Sequence, residues 1–230
     1  MTSPHAPLVG VVVISVEQAV SASYASRHLA ELGATVIKIE RPEGDFARDY
    51  DSVVNGQASF FVWANRGKQS VVLNLKSEED LNTFHTLVRG ADVVIQNLAP
   101  EASVRLGING ETLRSRTPSL ITCDISGYGS GGPRSSDRAY DLAIQAEAGI
   151  FSVTGNDEMS KAGISVADIS AGMYALTSIL AALVRRDRTG EGAHIDVAMI
   201  DTVAEWVAPA MYGTVYSGAQ PARTGRRHHS

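Results

Sequence analysis

The sequence predicts an α/β fold, an open and mainly parallel sheet with flanking helices. Three observations carry this. Short runs of β-branched residues recur along the chain, segments with helical apolar spacing lie between them, and glycines and acids stand where such helices would stop and start. The run LVGVVVIS (8–15) is continuously apolar, as in a strand buried on both faces. Helical spacing follows over 19–32, with Gly33 as its stop. TVIKIE (35–40) and QSVVLNL (69–75) read as the next two strands. Ser77, then Glu78, Glu79 and Asp80, opens a helix with acids at its positive end, running to about Arg89. ADVVIQN (91–97) and SLITCDIS (119–126) are the fourth and fifth strands. Strands alternating with helices imply parallel βαβ units. Ligands of such sheets sit beyond the carboxyl ends of the strands, so attention falls on 17–23, Arg41, Asn97, Leu98 and the loop after Ser126.

The second half begins with a turn-rich loop, GYGSGGPRSSDR (127–138). A short helix is expected over 140–151 and a strong one over 168–186, with Ile169, Met173, Leu176, Leu180 and Leu183 on one face. RTGEG is a loop, HIDVAM (194–199) alternates like a strand, and 200 to about 215 reads as a helix.

Composition bounds the function. With 230 residues, 44% hydrophobic and 20% charged, the chain can bury an ordinary core. A formal net charge of -5 argues against a general nucleic-acid binder, while leaving room for a local basic pocket. One cysteine, Cys123, permits no internal disulfide, which fits a reducing cytoplasm. The opening residues lack the basic segment and long apolar stretch of a signal peptide, and 8–16 is too short to cross a bilayer. The six histidines show no metal-ligand spacing, so no metal site is expected.

Gly127, Gly129 and Gly132 formally fit G-x-G-x-x-G. Pro133 and a polar stretch follow where a dinucleotide site would need a helix, so the motif reads as a mobile loop. Arg41, Lys68 and Lys76 stand beside strand ends. Alone they read as solvated charge; together they would suit a polyanion. Asp168, in SVADISAG, reads first as a helix N-cap. Its other reading is a carboxylate nucleophile, with Ser170, Ala171 and Gly172 leaving room for a ligand.

Seven segments in order resemble the family III CoA-transferases, the group that includes formyl-CoA transferase, the carnitine CoA-transferase type enzymes and α-methylacyl-CoA racemase. They are LAELGATVIKIERPEGD, NRGKQSVVLNLK, ADVVIQNLAPEASVRLG, ISGYGSGGP, YDLAIQAEAG, VADISAGMYALTSILAAL and RTGEGAHIDVAMIDTV. The resemblance implies a Rossmann-like large domain plus a smaller one, in an interlocked cytoplasmic homodimer. It divides the chain into a CoA-binding large domain over 1–199 and, over 200–230, a helix and the start of a linker. It implies transfer of CoA from an acyl-CoA donor to a small carboxylic acid acceptor. No metal or redox cofactor is involved, since coenzyme A is substrate, and neither nucleic acid nor membrane is a partner. The matching catalytic aspartate is Asp168, which would carry acyl and CoA in turn through an anhydride and a thioester. The implied CoA contacts are Arg41, Leu73, Lys76, Asn97, Leu98, Arg105 and Leu106, with Arg138, Tyr140 and Met199 nearer the pantetheine or acyl end.

The departures refine the expectation. Ala22 and Ser23 replace a common glycine-proline pair, and Val20 stands where formyl-CoA transferase has a functional glutamine, with Gln18 out of register. Formyl or oxalate chemistry is therefore disfavoured. Tyr140 stands where racemases of the family carry a basic histidine. A tyrosine, with a reference pKa of about 10, is a poor base, which counts against racemisation. Family members also continue past the position of Ser230. The resemblance thus implies a truncated form, a fragment or half of a split enzyme, and a stretch of this length could act as a non-catalytic CoA-binding module.

Overall fold

The computed structural model describes residues 5–227; the extreme residues on which the leader and chain-end expectations partly rest lie outside them. Six strands form one all-parallel sheet: β1 (Val12–Val16), β2 (Thr35–Glu40), β3 (Gln69–Val72), β4 (Val93–Gln96), β5 (Ile121–Ser126) and β6 (His194–Ala198). Their spatial order is β3-β2-β1-β4-β5-β6. The order reverses between β1 and β4, so a crevice opens beyond their carboxyl ends. β1 and β2 are neighbours in parallel register, Val12 opposite Thr35 through Val16 opposite Ile39.

The helices are α1 (Ser21–Glu31), α2 (Ser59–Asn65), α3 (Glu78–Arg89), α4 (Pro100–Leu106), α5 (Gly110–Arg116), α6 (Asp141–Glu147), α7 (Ile150–Val153), α8 (Val166–Thr189) and α9 (Met199–Ser217). Alternation along β1 divides the core. Val13 faces a layer built with Ala25, Leu29, Ala175 and Ile179 of α1 and α8. Ile14 and Val16 face the opposite layer, with Phe84, Val88 and Leu113 of α3 and α5. Met199 and Val203, at the start of α9, belong to the first layer.

Small residues let α1 and α8 approach closely. A Cβ on Gly172 would lie 2.7 Å from the Ser21 carbonyl oxygen, an overlap of the kind that costs about 1–3 kcal/mol in a packed core. This approach sets the first turn of α8 beside the β1–α1 loop. By length and composition α8 could cross a membrane, yet more than half of its apolar stretch is buried, against α1, α6 and the sheet.

Several boundaries differ from expectation for local reasons. β1 starts at Val12, because Gly10, at φ 92°, lies in a turn that Val11 N–H closes on the Leu8 carbonyl. α1 starts at Ser21, because Ala19 has φ 56°, outside the helical region. β3 is an edge strand and ends at Val72, after which the chain turns at Asn74–Ser77. The helix expected over 140–151 is two, α6 and α7, divided by Gly149 at φ 91°.

Candidate active site

Two cavities of about 580 and 560 Å³ open at the switch point. Gln18 and Leu98, from the loops after β1 and β4, line both. The larger is walled by 18–21, Asn97 to Pro100, residues 135–142 and Met199, with Asp168 in its lining. The smaller is formed by the ends of β1, β2 and β3.

The sequence-derived residues divide between them. Arg41, Leu73, Lys76, Leu98 and Leu106 line the smaller cavity. Asn97, Leu98, Arg138, Tyr140, Met199 and Asp168 line the larger. Arg105 lines neither; it is exposed on the last turn of α4. Lys76 is exposed at the cavity edge, and Arg41 donates from Nε to the Gly44 carbonyl at 2.8 Å. Asn97 has its amide fully engaged. Its oxygen accepts from Gln18 N–H at 3.0 Å, and its nitrogen donates to the Gln18 carbonyl and to Ser21 Oγ. It therefore straps the β1–α1 turn rather than offering a free amide.

Asp168 is the third residue of α8, not its cap. The capping carboxylate is that of Asp141, whose Oδ1 accepts from Ala167 N–H at 2.8 Å and Asp168 N–H at 3.2 Å. Asp141 Oδ2 accepts from Gln145 Nε2 at 2.6 Å. The Asp168 carboxyl itself receives no hydrogen bond among the described residues. Burial, with the Asp141 charge added, raises its pKa from 3.8 to about 7. Near neutral pH it is thus a mixture of acid and carboxylate, and its carboxylate form is a stronger nucleophile than an ordinary one.

Tyr50 also borders this cavity. Burial, Asp168 and Asp45 raise its pKa, so the phenol stays protonated. It follows a 3-10 turn (Phe46–Asp49) and packs edge-on against Phe60, with ring centroids 5.8 Å apart.

Beneath the shared wall lies a buried polar network that the sequence reading left unassembled. Lys38 Nζ donates to Asp45 Oδ2 at 2.6 Å and Asn65 Oδ1 at 2.9 Å. Lys68 Nζ binds Glu17 Oε1 and the Ser23 carbonyl. Ser26 Oγ donates to Glu17 Oε2 at 2.6 Å. Burial pulls Lys68 down to about 8 against the opposing pull of Glu17. Asp45 Oδ1 accepts from Ala19 N–H at 3.0 Å, which helps hold Ala19 at its positive φ. Lys68 is thus committed to the wall and not to a ligand.

The loop carrying Gly127, Gly129 and Gly132 leads to no immediate helix; α6 begins only at Asp141. No group of three or more His, Cys, Asp or Glu suited to a metal occurs among the described residues.

Comparison with known proteins agrees with this geometry. The chain is 40% identical over 229 residues to the acetyl-CoA:oxalate CoA-transferase of Acetobacter aceti, covering 98% of this chain and 59% of that protein. It is 37% identical to the succinate–glutarate CoA-transferase of Agrobacterium fabrum, covering 99% and 60%. A crystal structure of a CAIB/BAIF family protein from Brucella suis superposes with TM-score 0.91 at 36% identity, covering 96% of this chain and 61% of that one. The chain therefore spans about 60% of the length of the curated relatives it matches. The pattern that defines CoA-transferase family III matches residues 8–230, and the chain belongs to that family.

Proposed function

We propose that the protein transfers CoA from an acyl-CoA donor to a carboxylic acid acceptor, with Asp168 as the covalent carrier. The observation that carries this reading is the state of the Asp168 carboxyl. It lines the larger cavity without a hydrogen bond among the described residues, and its pKa is raised to about 7. In the proposed route its carboxylate attacks the donor thioester and expels CoA thiolate, leaving a mixed anhydride. The thiolate attacks the Asp168 carbonyl and expels the donor carboxylate, leaving an aspartyl-CoA thioester. The acceptor carboxylate then expels the thiolate to form a second anhydride. The thiolate finally takes the acceptor acyl group and frees Asp168. Each step is an acyl transfer between good leaving groups and needs no metal or redox cofactor.

The two cavities suit the two ends of such a donor. Arg41 and Lys76 offer cations for phosphates in one, and the acyl end would reach Asp168 in the other. The transferase named for oxalate runs against the expectation that disfavoured oxalate, and together with the one named for succinate and glutarate it supports small dicarboxylic acids as the acid class. We extend the reading to a cytoplasmic homodimer, consistent with the exposed Trp206, Met211, Tyr212, Val215 and Tyr216 of α9. Residues 1–199 would form the CoA-binding domain and 200–230 its outgoing helix and linker.

The test is chemical trapping. Incubation with the donor acyl-CoA and hydroxylamine should leave a hydroxamate at Asp168, with a yield rising as pH passes through about 7. Asp168→Asn and Asp168→Ala should give none. A folded, fully active Asp168→Asn protein overturns the mechanism.

A further inference from the structure

The charges lining the larger cavity do not balance locally. Its carboxylates are Asp137, Asp141 and Asp168, and its cations are Arg138 and Lys161. Asp137 is taken by Arg134 Nε at 2.8 Å, a residue outside the lining. Asp141 is taken by the first turn of α8 and by Gln145. Neither cation has a carboxylate partner among the described residues. Arg138 is exposed and makes no hydrogen bond there, while the exposed Lys161 donates only to the Ala162 carbonyl at 3.2 Å.

Arg138 is also an implied contact at the pantetheine or acyl end of CoA, so Lys161 is the cation that a neutral acyl thioester would leave unmatched. In the proposed function the CoA phosphates would be met in the second cavity by Arg41 and Lys76, across the wall formed by Gln18 and Leu98. The larger cavity thus has one carboxyl at which acyl groups would be held covalently and a separate cationic rim, and the rim is complementary to an anionic end remote from the reacting group. We propose that Lys161, assisted by Arg138, is the specificity-determining group for the remote carboxylate of a dicarboxylic acid whose other carboxylate reacts at Asp168. The inference rests on the proposed transfer function and assigns a residue to its acid selectivity.

The test titrates glutarate and butyrate, which differ by the remote carboxylate, into the chain by calorimetry, with and without CoA. Wild type should bind glutarate about two- to fivefold more tightly than butyrate, the scale of one exposed ion pair. Lys161→Met should remove most of that preference without changing butyrate or CoA affinity, and Lys161→Arg should restore it. Lys161 is exposed, so a folded Lys161→Met chain is expected and is verified by an unchanged melting temperature. Equal affinity for the two acids in wild type overturns the proposal, as does a preference that survives Lys161→Met. Loss of CoA affinity with the acid preference intact overturns it too, and assigns Lys161 to a CoA phosphate. Selective glutarate binding without any CoA binding leaves this assignment standing and defeats the transfer function instead.

Discussion

Replacing Asp168 with asparagine should make the fold more stable above neutral pH. The side chains have nearly the same shape, and the cap of α8 is kept because Asp141 supplies it. What changes is the charge. A carboxyl moved from 3.8 to about 7 resists ionisation in the folded state by about 4 kcal/mol. Asp168 keeps part of its surface in solvent, so about 2 kcal/mol is a realistic share. The sign follows from linkage. The unfolded chain releases this proton near pH 4 and the folded chain only near pH 7, so wild-type stability falls as pH rises between those values and stays low above them. Asparagine removes the penalty. For a chain of this size, 2 kcal/mol corresponds to a melting temperature raised by about 4–8 °C at about pH 8. The gain should shrink as pH falls toward about 4. Scanning calorimetry of both proteins across that range measures it. A variant that melts at or below wild type at about pH 8, or a gap independent of pH, refutes the desolvation argument.

Three other substitutions test the surroundings. Asp141→Ala removes the acceptor for two amides of α8 and should cost about 1 kcal/mol in urea unfolding, whereas Asp141→Asn should cost little. Both should shift the pH dependence of Asp168 downward, since they remove the neighbouring charge. Lys68→Met leaves the buried Glu17 with Lys38 Nζ at 3.7 Å as its remaining cation; a loss of about 3–5 kcal/mol is expected, partly recovered by adding Glu17→Gln. CoA at about a hundred times its Kd should protect the chain by about 2.7 kcal/mol. Arg41→Ala and Lys76→Ala should reduce that protection; a melting shift unaffected by both removes CoA from the smaller cavity.

The sheet was legible because parallel strands buried on both faces are written as unbroken β-branched runs, and 35–40 and 119–126 contain β2 and β5 almost residue for residue. The crevice was legible for the same reason: strand ends mark it, and Arg41, Leu98 and Lys76 line the smaller cavity there. What failed was chemistry between distant segments. Asp168 resembles an N-cap by local rules, but the actual cap arrives from Asp141, 27 residues upstream. Lys38 sits inside a strand and Lys68 beside a loop glycine. Only the fold reveals that they share a buried network with Glu17 and Asp45. Tyr50 carried no motif signal; its neighbours Phe60 and Asp168 come from other elements. Arg105, given by the resemblance as a CoA contact, lies exposed on the last turn of α4 and lines neither cavity.

The apolar helix α8 has a consequence for how the chain is made. On a ribosome, its 24 residues emerge before β6, when the exposed edge of β5 has no partner. A helix of that length and hydropathy meets the length and composition criteria of a membrane span, as core helices of soluble proteins also can. Its protection is chronological. The small-residue face of α1, on which α8 packs at Ser21 and Tyr24 around Gly172, lies some 140 residues earlier in the chain and is synthesised first. Substitutions that slow this docking should divert nascent chains before they alter the finished fold.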